Sequence, residues 1–474
     1  MNIKAWFHPQ PPPRVMLIFP AILIMLLAML AGALALSYNN DAMAVVGIVL
    51  GLLWMGLLVL VALPQTDRWF KRAERWFKPL AATLMVVLVF AGAVELLALM
   101  ATGLGTTGGG VLGDSTPKFL AYISHDLSSS DAVALLDQAV TNVRDGKNPY
   151  ANANVVTAVV DIQSPFDKTT PLHTGSFSSY FPYPPTAAIN ELWAKAVQTP
   201  ESIPPELESK LGYPAGFFLI PALFSFLGIN NIRVVSLLLV LTGMGITIAL
   251  TPSRMRIWLA GACLGSLVIW NGIASGMTGS LYFPFLLLAW VLWKKNMWLS
   301  ALCMGIAVAT KQVAWFFLPF YLILVLRHLS WKKALLVAGV GGGVFAAFNL
   351  PFIVASPSLW LDSVTSMMKD ALFPSGWGFI TLVLQGWVHI ESPLLFTVLE
   401  ITVFLASVAW YWRYARAYPC LGVILPILPL FFAWRSLWPY FFYVDIIVLA
   451  VVMQEYISTR GSSVPAAAEA PVLN

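Results

Sequence analysis

The chain has 474 residues, of which 59% are hydrophobic and only 10% charged, with a mean hydropathy of +0.80. Soluble domains carry roughly 25% charged residues, so a soluble fold is excluded and the expected class is an all-α polytopic membrane protein. The net charge of +5 is no argument for nucleic acid, because basic residues in short loops between spans set orientation.

A membrane-crossing helix needs roughly 20 apolar residues, since it rises 1.5 Å per residue through a core about 30 Å thick. Lys4 and Arg14 precede an apolar run from Met16 to Leu36. That run exceeds a signal peptide's apolar region of about 7 to 15 residues and reads as the first span. Runs of span length fall at 15–37, 43–63 and 80–101, and after a long polar segment at 213–228, 232–250, 257–275, 279–293, 298–326, 334–355, 377–390, 393–412, 418–433 and 437–455. Several are short, and 11 to 13 crossings are expected, with a break at Lys311. Four regions follow: a three-helix membrane segment (1–102), an external loop (103–212), a membrane bundle (213–456) and a disordered cytoplasmic tail (457–474).

Lys and Arg collect at the N-terminus and in the segment 64–79, with Arg68, Lys71, Arg72, Arg75 and Lys78. Both are therefore expected on the cytoplasmic side of a cell membrane. Three crossings put 103–212 outside, and its eleven acids against six bases agree. The later pairs Arg254/Arg256, Lys294/Lys295, Arg327 with Lys332/Lys333, and Arg413/Arg416 also look cytoplasmic. Two crossings between 213 and 250 would contradict this for Arg254, unless one of them only dips into the membrane.

Within the loop, residues 131–144 read as a helix. Ser130 stands at the cap position, Val133, Leu136, Val140 and Val143 form an apolar stripe, and Gly146 ends it. The stripe suggests a helix lying on the membrane or on the tops of other helices. The string Tyr180-Phe181-Pro182-Tyr183-Pro184-Pro185 must be extended and serves as a rigid strut. Gly108-Gly109-Gly110 is a hinge, since no strand precedes it and no Lys-Ser/Thr follows. His173 reads as a solvated loop residue. The three cysteines, Cys263, Cys303 and Cys420, have neither disulfide nor metal-ligand spacing, so no metal and no cofactor are expected.

Asp131, the helix and then Gly146-Lys147-Asn148-Pro149-Tyr150 together resemble the first external loop of polyprenol-phosphate-sugar-dependent glycosyltransferases of the GT-C fold, particularly glycosyltransferase family 87. Gly212-Tyr213-Pro214-Ala215-Gly216 with Leu227-Gly228 and Arg233, Gly305 through Thr310-Lys311-Gln312 with Pro319, and Trp438-Pro439-Tyr440-Phe441 are similar to further stretches of that family. The resemblance covers most of 120–455. It implies a GT-C-like helical bundle and transfer of a sugar, mannose or another hexose by family habit, from a polyprenyl-phosphate donor to a lipid or glycan acceptor on the external face. Nucleic acid is not an expected partner; membrane lipids are.

Such a reaction needs a base for the acceptor proton and cations for the departing phosphate. A single displacement with inversion suits one carboxylate, because double displacement wants a second about 5 Å away. Asp131 is the candidate base and Asp126, beside His125, the reserve. The competing role for Asp131 is stabilisation of its helix N-terminus. Lys311, in the middle of an apolar run, Arg435, between Trp434 and Trp438, and Gln312 are the candidate donor-phosphate ligands. Tyr150, Tyr183, Tyr213 and Tyr440 are expected to line the substrate cavity. Glu95, Glu400 and Asp445 lie in apolar runs, where pairing inside the bundle is favoured over catalysis. The alternatives are a transporter or lipid-linked-sugar flippase using Glu95, Lys311, Glu400 and Asp445 as a relay, and a protein that binds lipid-linked sugar without transferring it.

Overall fold

The computed structural model describes residues 11–102 and 129–461, with backbone alone for 457–461. Helices α1 (Ile18–Tyr38) and α2 (Asp41–Ala62) form a hairpin. Its turn is short because Asn39 takes a φ of 45° and the Asn40 side chain accepts the Met43 amide at 3.1 Å, capping α2. Then come α3 (Glu74–Thr102), α4 (Asp131–Arg144), α5 (Gly216–Phe226), α6 (Ile232–Leu250), α7 (Ser253–Gly265), α8 (Leu267–Ala274) and α9 (Phe283–Leu292). The chain continues through α10 (Met297–Thr310), α11 (Val313–His328), α12 (Trp331–Ala355), α13 (Leu394–Tyr414) and α14 (Val444–Gly461). Strand β1 (Ser375–Gly376) pairs in parallel with β2 (Arg435–Ser436).

Among the described residues seven helices are long and apolar enough to cross a membrane, or up to eight if α7 and α8, bent by 44°, make one span; four apolar helices are shorter. The protein is an all-α polytopic membrane protein. Of the 11 to 13 crossings expected, several of them short, only seven or eight appear as long helices among the described residues, and the reasons are local. Run 377–390 is interrupted by Gly378 and Gly386, both at positive φ. Run 418–433 carries Pro419, Pro426 and Pro429 and forms only short turns of helix. Run 298–326 does break at Lys311, and the chain also reverses there. The Ser300 and Tyr321 hydroxyls hydrogen-bond each other and Trp293 packs 5.5 Å from His328, so α10 and α11 form a hairpin with Lys311 at its tip. Helices α8 and α9 likewise meet at a turn containing Gly276 (φ +72°) and Thr278.

Contacts between chain-distant residues gather the basic clusters at one end of the bundle. Arg14 pairs with Asp67 at 3.3 Å, the Gln65 amide donates to Tyr418, Lys294 pairs with Glu455 at 2.7 Å, and the Arg416 guanidinium donates to the Arg327 carbonyl. Helices α3 and α7 lie side by side and parallel: Met85 meets Gly261, Leu88 meets Gly265, and Gly92 meets the Leu264 carbonyl. That register sets Arg254 level with Lys78, so the clash in the charge count disappears. The helix responsible is α5. Its 11 residues rise only about 16 Å, about half the apolar core.

The opposite end holds the polar segment. Helix α4 keeps the expected bounds, and Gly146 takes φ +71° after it. Its apolar stripe packs in a separate core with Val156, Val159, Phe177, Ile189 and Trp193, and against α5. The Phe166 ring stacks on Trp193 at 5.0 Å, and the Trp193 indole donates to the Thr169 hydroxyl at 2.9 Å. Lys210 fastens this unit to the segment after α12, pairing with Asp370 at 2.8 Å and Asp362 at 3.2 Å.

Candidate active site

Asp131 is buried, 6% exposed, at the first position of α4. One carboxylate oxygen accepts the Ala132 amide at 2.8 Å and the other the Thr170 amide at 2.6 Å. The first contact is the helix-end role weighed against catalysis, and it is present. Two amide donors still leave lone pairs on a carboxylate that has about four acceptor positions. Burial raises the Asp131 pKa above its ordinary value of 3.8, opposed by the Thr170 and Ala132 contacts and by the charge of Arg435.

Arg435 acts on this carboxylate through its charge, and β2 holds it in place against β1: Ser375 pairs with Arg435 and Gly376 with Ser436. A Cβ at Gly376, which has φ +105°, would lie 2.0 Å from the Ser436 carbonyl oxygen, so only glycine lets the strands approach. The Trp434 indole donates to the Leu372 carbonyl at 2.7 Å, while one Arg435 terminal nitrogen reaches the Phe373 carbonyl at 3.5 Å. The Arg435 Nε is buried with no acceptor among the described residues.

Lys311, 6% exposed, ends α10 and donates to the Thr278 hydroxyl at 2.8 Å. Its ammonium lies 5.1 Å from the centre of the Tyr213 ring. Neither Lys311 nor Arg435 has an ion-pair partner among the described residues. Tyr213 joins the two halves of the site: it stacks on Phe217 at 4.2 Å, and its hydroxyl feels the charges of both Asp131 and Arg435. The phenol of Tyr183 responds to the same pair, and Tyr440 to Arg435 and Glu400. Four of the expected groups, Asp131, Arg435, Tyr183 and Tyr213, therefore share one electrostatic neighbourhood, with Lys311 adjoining through Tyr213.

The chain matches no protein-family model, no curated protein and no solved structure. The site therefore rests on its own geometry.

Two expected ligands point elsewhere. The Gln312 amide nitrogen is taken by the Gly212 and Val364 carbonyls at 2.7 and 2.9 Å. Tyr150 is buried between Phe218 and Phe352, and its hydroxyl donates to the Tyr213 carbonyl at 2.8 Å. It positions Tyr213 from behind. Asp126 and His125 lie outside the described residues, as does Gly108-Gly109-Gly110. His173 is a half-exposed loop residue with contacts of its own. Its amide donates to the Ala371 carbonyl, and its ring packs 4.8 Å from Phe373, so it also links the polar segment to the approach of β1.

Two groups of the possible relay have partners of their own. Asp445 accepts the Trp54 indole at 2.7 Å, tying α14 to α2, and Lys311 is bonded to Thr278. Glu95 is buried on α3. Sequence reading missed Thr278, Thr170 and the positioning role of Arg233. The Arg233 Nε donates to the Ala274 carbonyl at 2.7 Å, and a terminal nitrogen donates to the Ser129 hydroxyl at 3.2 Å. It braces the chain two residues before Asp131. A threonine in a turn carries no signal of its own, and the Thr170 contact uses a backbone amide that every residue but proline has. Among the described residues no group of three or more His, Cys, Asp or Glu is arranged to hold a metal ion.

Proposed function

We propose that the protein is an integral membrane glycosyltransferase that moves a sugar, mannose or another hexose, from a polyprenyl-phosphate donor to an acceptor hydroxyl. The observation that carries this reading is a buried carboxylate in the field of one of two cations that have no carboxylate of their own. A buried cation without a counter-ion costs several kcal/mol, and a bound phosphate removes that cost. In this reading Asp131 takes the acceptor proton, because burial puts its basicity above that of a solvated aspartate while Arg435 keeps it ionisable. Arg435, with a free Nε, and Lys311 receive the departing phosphate. Tyr213 and Tyr183 sit where they feel the charges of both Asp131 and Arg435. The end that bears Asp131 faces the exterior, and the basic end faces the cytoplasm.

The test is turnover of radiolabelled polyprenyl-phosphate sugars by the purified protein. Asp131→Asn keeps the shape and one of the two amide contacts, since its NH2 cannot accept the other, and it cannot take a proton, so transfer is expected to fall by at least about 10²-fold with donor binding retained. Unchanged turnover removes Asp131 as the base.

A further inference from the structure

The link between α2 and α3 and the first turn of α3 carry a tandem unit that the proposed reaction does not use: Arg68-Trp69-Phe70-Lys71 and, seven residues on, Arg75-Trp76-Phe77-Lys78. The two phenylalanines turn inward, with ring centres 5.8 Å apart, and pack on the main core. The two tryptophans turn outward, Trp69 60% and Trp76 73% exposed. Arg68, Lys71, Arg72 and Arg75 are exposed, and the Arg75 guanidinium sits 5.2 Å over the Trp76 ring. Of the two nearby acids, Asp67 is occupied by Arg14, leaving Glu74 among five bases.

Directly along the membrane from this unit, α3 and α7 enclose an apolar groove of about 630 Å³. Met85, Val89, Phe90 and Ala93 line one wall and Ile257, Ala260, Gly261 and Leu264 the other. Val86 and Phe90 are largely exposed, so the groove opens to the bundle surface. Because α3 and α7 are parallel and in register, both carry their bases at the same mouth: Arg75 and Lys78 on one, exposed Arg254 on the other.

From this juxtaposition we infer an anionic phospholipid site, with the phosphodiester headgroup held by Arg75, Lys78 and Arg254 and one acyl chain lying between α3 and α7. The charge is complementary, each base near a membrane surface favouring an anionic headgroup. Exposed Trp at that level suits the interface. A groove that size lined only by apolar side chains repels water and is suited to hydrocarbon. The occupant is a diacyl lipid of the surrounding leaflet, and the site is separate from the Asp131 cluster at the other end of the bundle.

The experiment titrates the purified full chain in detergent with dioleoyl phosphatidylglycerol or dioleoyl phosphatidylcholine, following the melting midpoint and counting bound lipids by native mass spectrometry. Phosphatidylglycerol is expected to raise the midpoint and phosphatidylcholine to do so only weakly. Arg75→Gln/Lys78→Gln/Arg254→Gln, all at the surface mouth, should lower apparent affinity for phosphatidylglycerol at least about tenfold while leaving phosphatidylcholine unaffected. Ala260→Trp, which fills the groove without touching charge, should also abolish the stabilisation. If that variant does not fold, the charge variant decides alone. Equal effects of the two lipids on the wild type, a charge variant that keeps its preference, or stronger competition by polyprenyl phosphate would each overturn the assignment.

Discussion

Asp131 shows how a single residue acquires its chemistry from the places to which the chain brings its neighbours. Its burial raises the pKa above 3.8, while the Thr170 amide, 39 residues away, and Arg435 act in the opposite direction. A raised folded-state pKa means that the native protein holds a proton there at pH values where the unfolded chain has lost it. Stability linked to this group is therefore fully present below 3.8 and is lost as pH rises through the folded value. Transfer runs the other way, since the base must be ionised. The acidic limb of kcat/KM against pH is expected above the ordinary aspartate range. An Arg435→Gln variant should move that limb further up, because it removes a charge that favours the carboxylate. A limb unchanged between wild type and Arg435→Gln would separate the two residues. Lys311 makes a second test at this scale. Lys311→Met keeps length and apolar bulk, so the fold should survive and stability hold or improve, while donor KM rises about tenfold or more. A wild-type KM in that variant would remove Lys311 from the site.

At the scale of elements, the tie between the N-terminal hairpin and the site is a set of glycines facing tryptophans. A Cβ at Gly51 on α2 would lie 1.6 Å from the Trp377 ring, and one at Gly32 on α1 would lie 2.8 Å from Trp438. Trp377 and Trp438 stack at 4.7 Å, and each stands within two residues of the β1–β2 pair that carries Arg435. The first two spans thus buttress the strand pair instead of merely preceding the bundle. Gly51→Ala must displace Trp377, with an expected destabilisation of about 1 to 3 kcal/mol and a lowered melting midpoint, and some loss of turnover through a shifted Arg435. A variant that melts like the wild type would mean that the contact bears no load. The helix-tip hairpins follow the same logic. Lys311 and Thr278 each lie where an apolar run turns back, which lets a lysine inside the bundle find a hydroxyl and an aromatic face in place of hydrocarbon.

For the whole molecule, orientation is the property most open to test. The parallel packing of α3 and α7 puts residues 72 and 253 at the same end of the bundle, and the proposed orientation puts the polar unit around Glu201 on the external side. The native cysteines, Cys263, Cys303 and Cys420, are all buried, so background labelling is low. An impermeant thiol reagent added outside sealed cells should label Glu201→Cys, whereas Arg72→Cys and Ser253→Cys should react only after permeabilisation. Opposite accessibility of residues 72 and 253 would contradict the packing.

Read alone, the sequence determined the membrane class, the polar segment, the bounds of α4 and the break at Lys311. Each of these follows from local composition or periodicity, which a chain carries wherever it folds. The tertiary structure decided that the 213–228 run forms a helix of only 11 residues and that Lys311 sits at a reversal. It also separated Gln312 and Tyr150, which brace the backbone, from Arg435 and Tyr213, whose charge or hydroxyl is coupled electrostatically to Asp131. Those outcomes depend on contacts between residues tens to hundreds of positions apart, where glycine, threonine and backbone amides count as much as charged side chains and carry no pattern of their own.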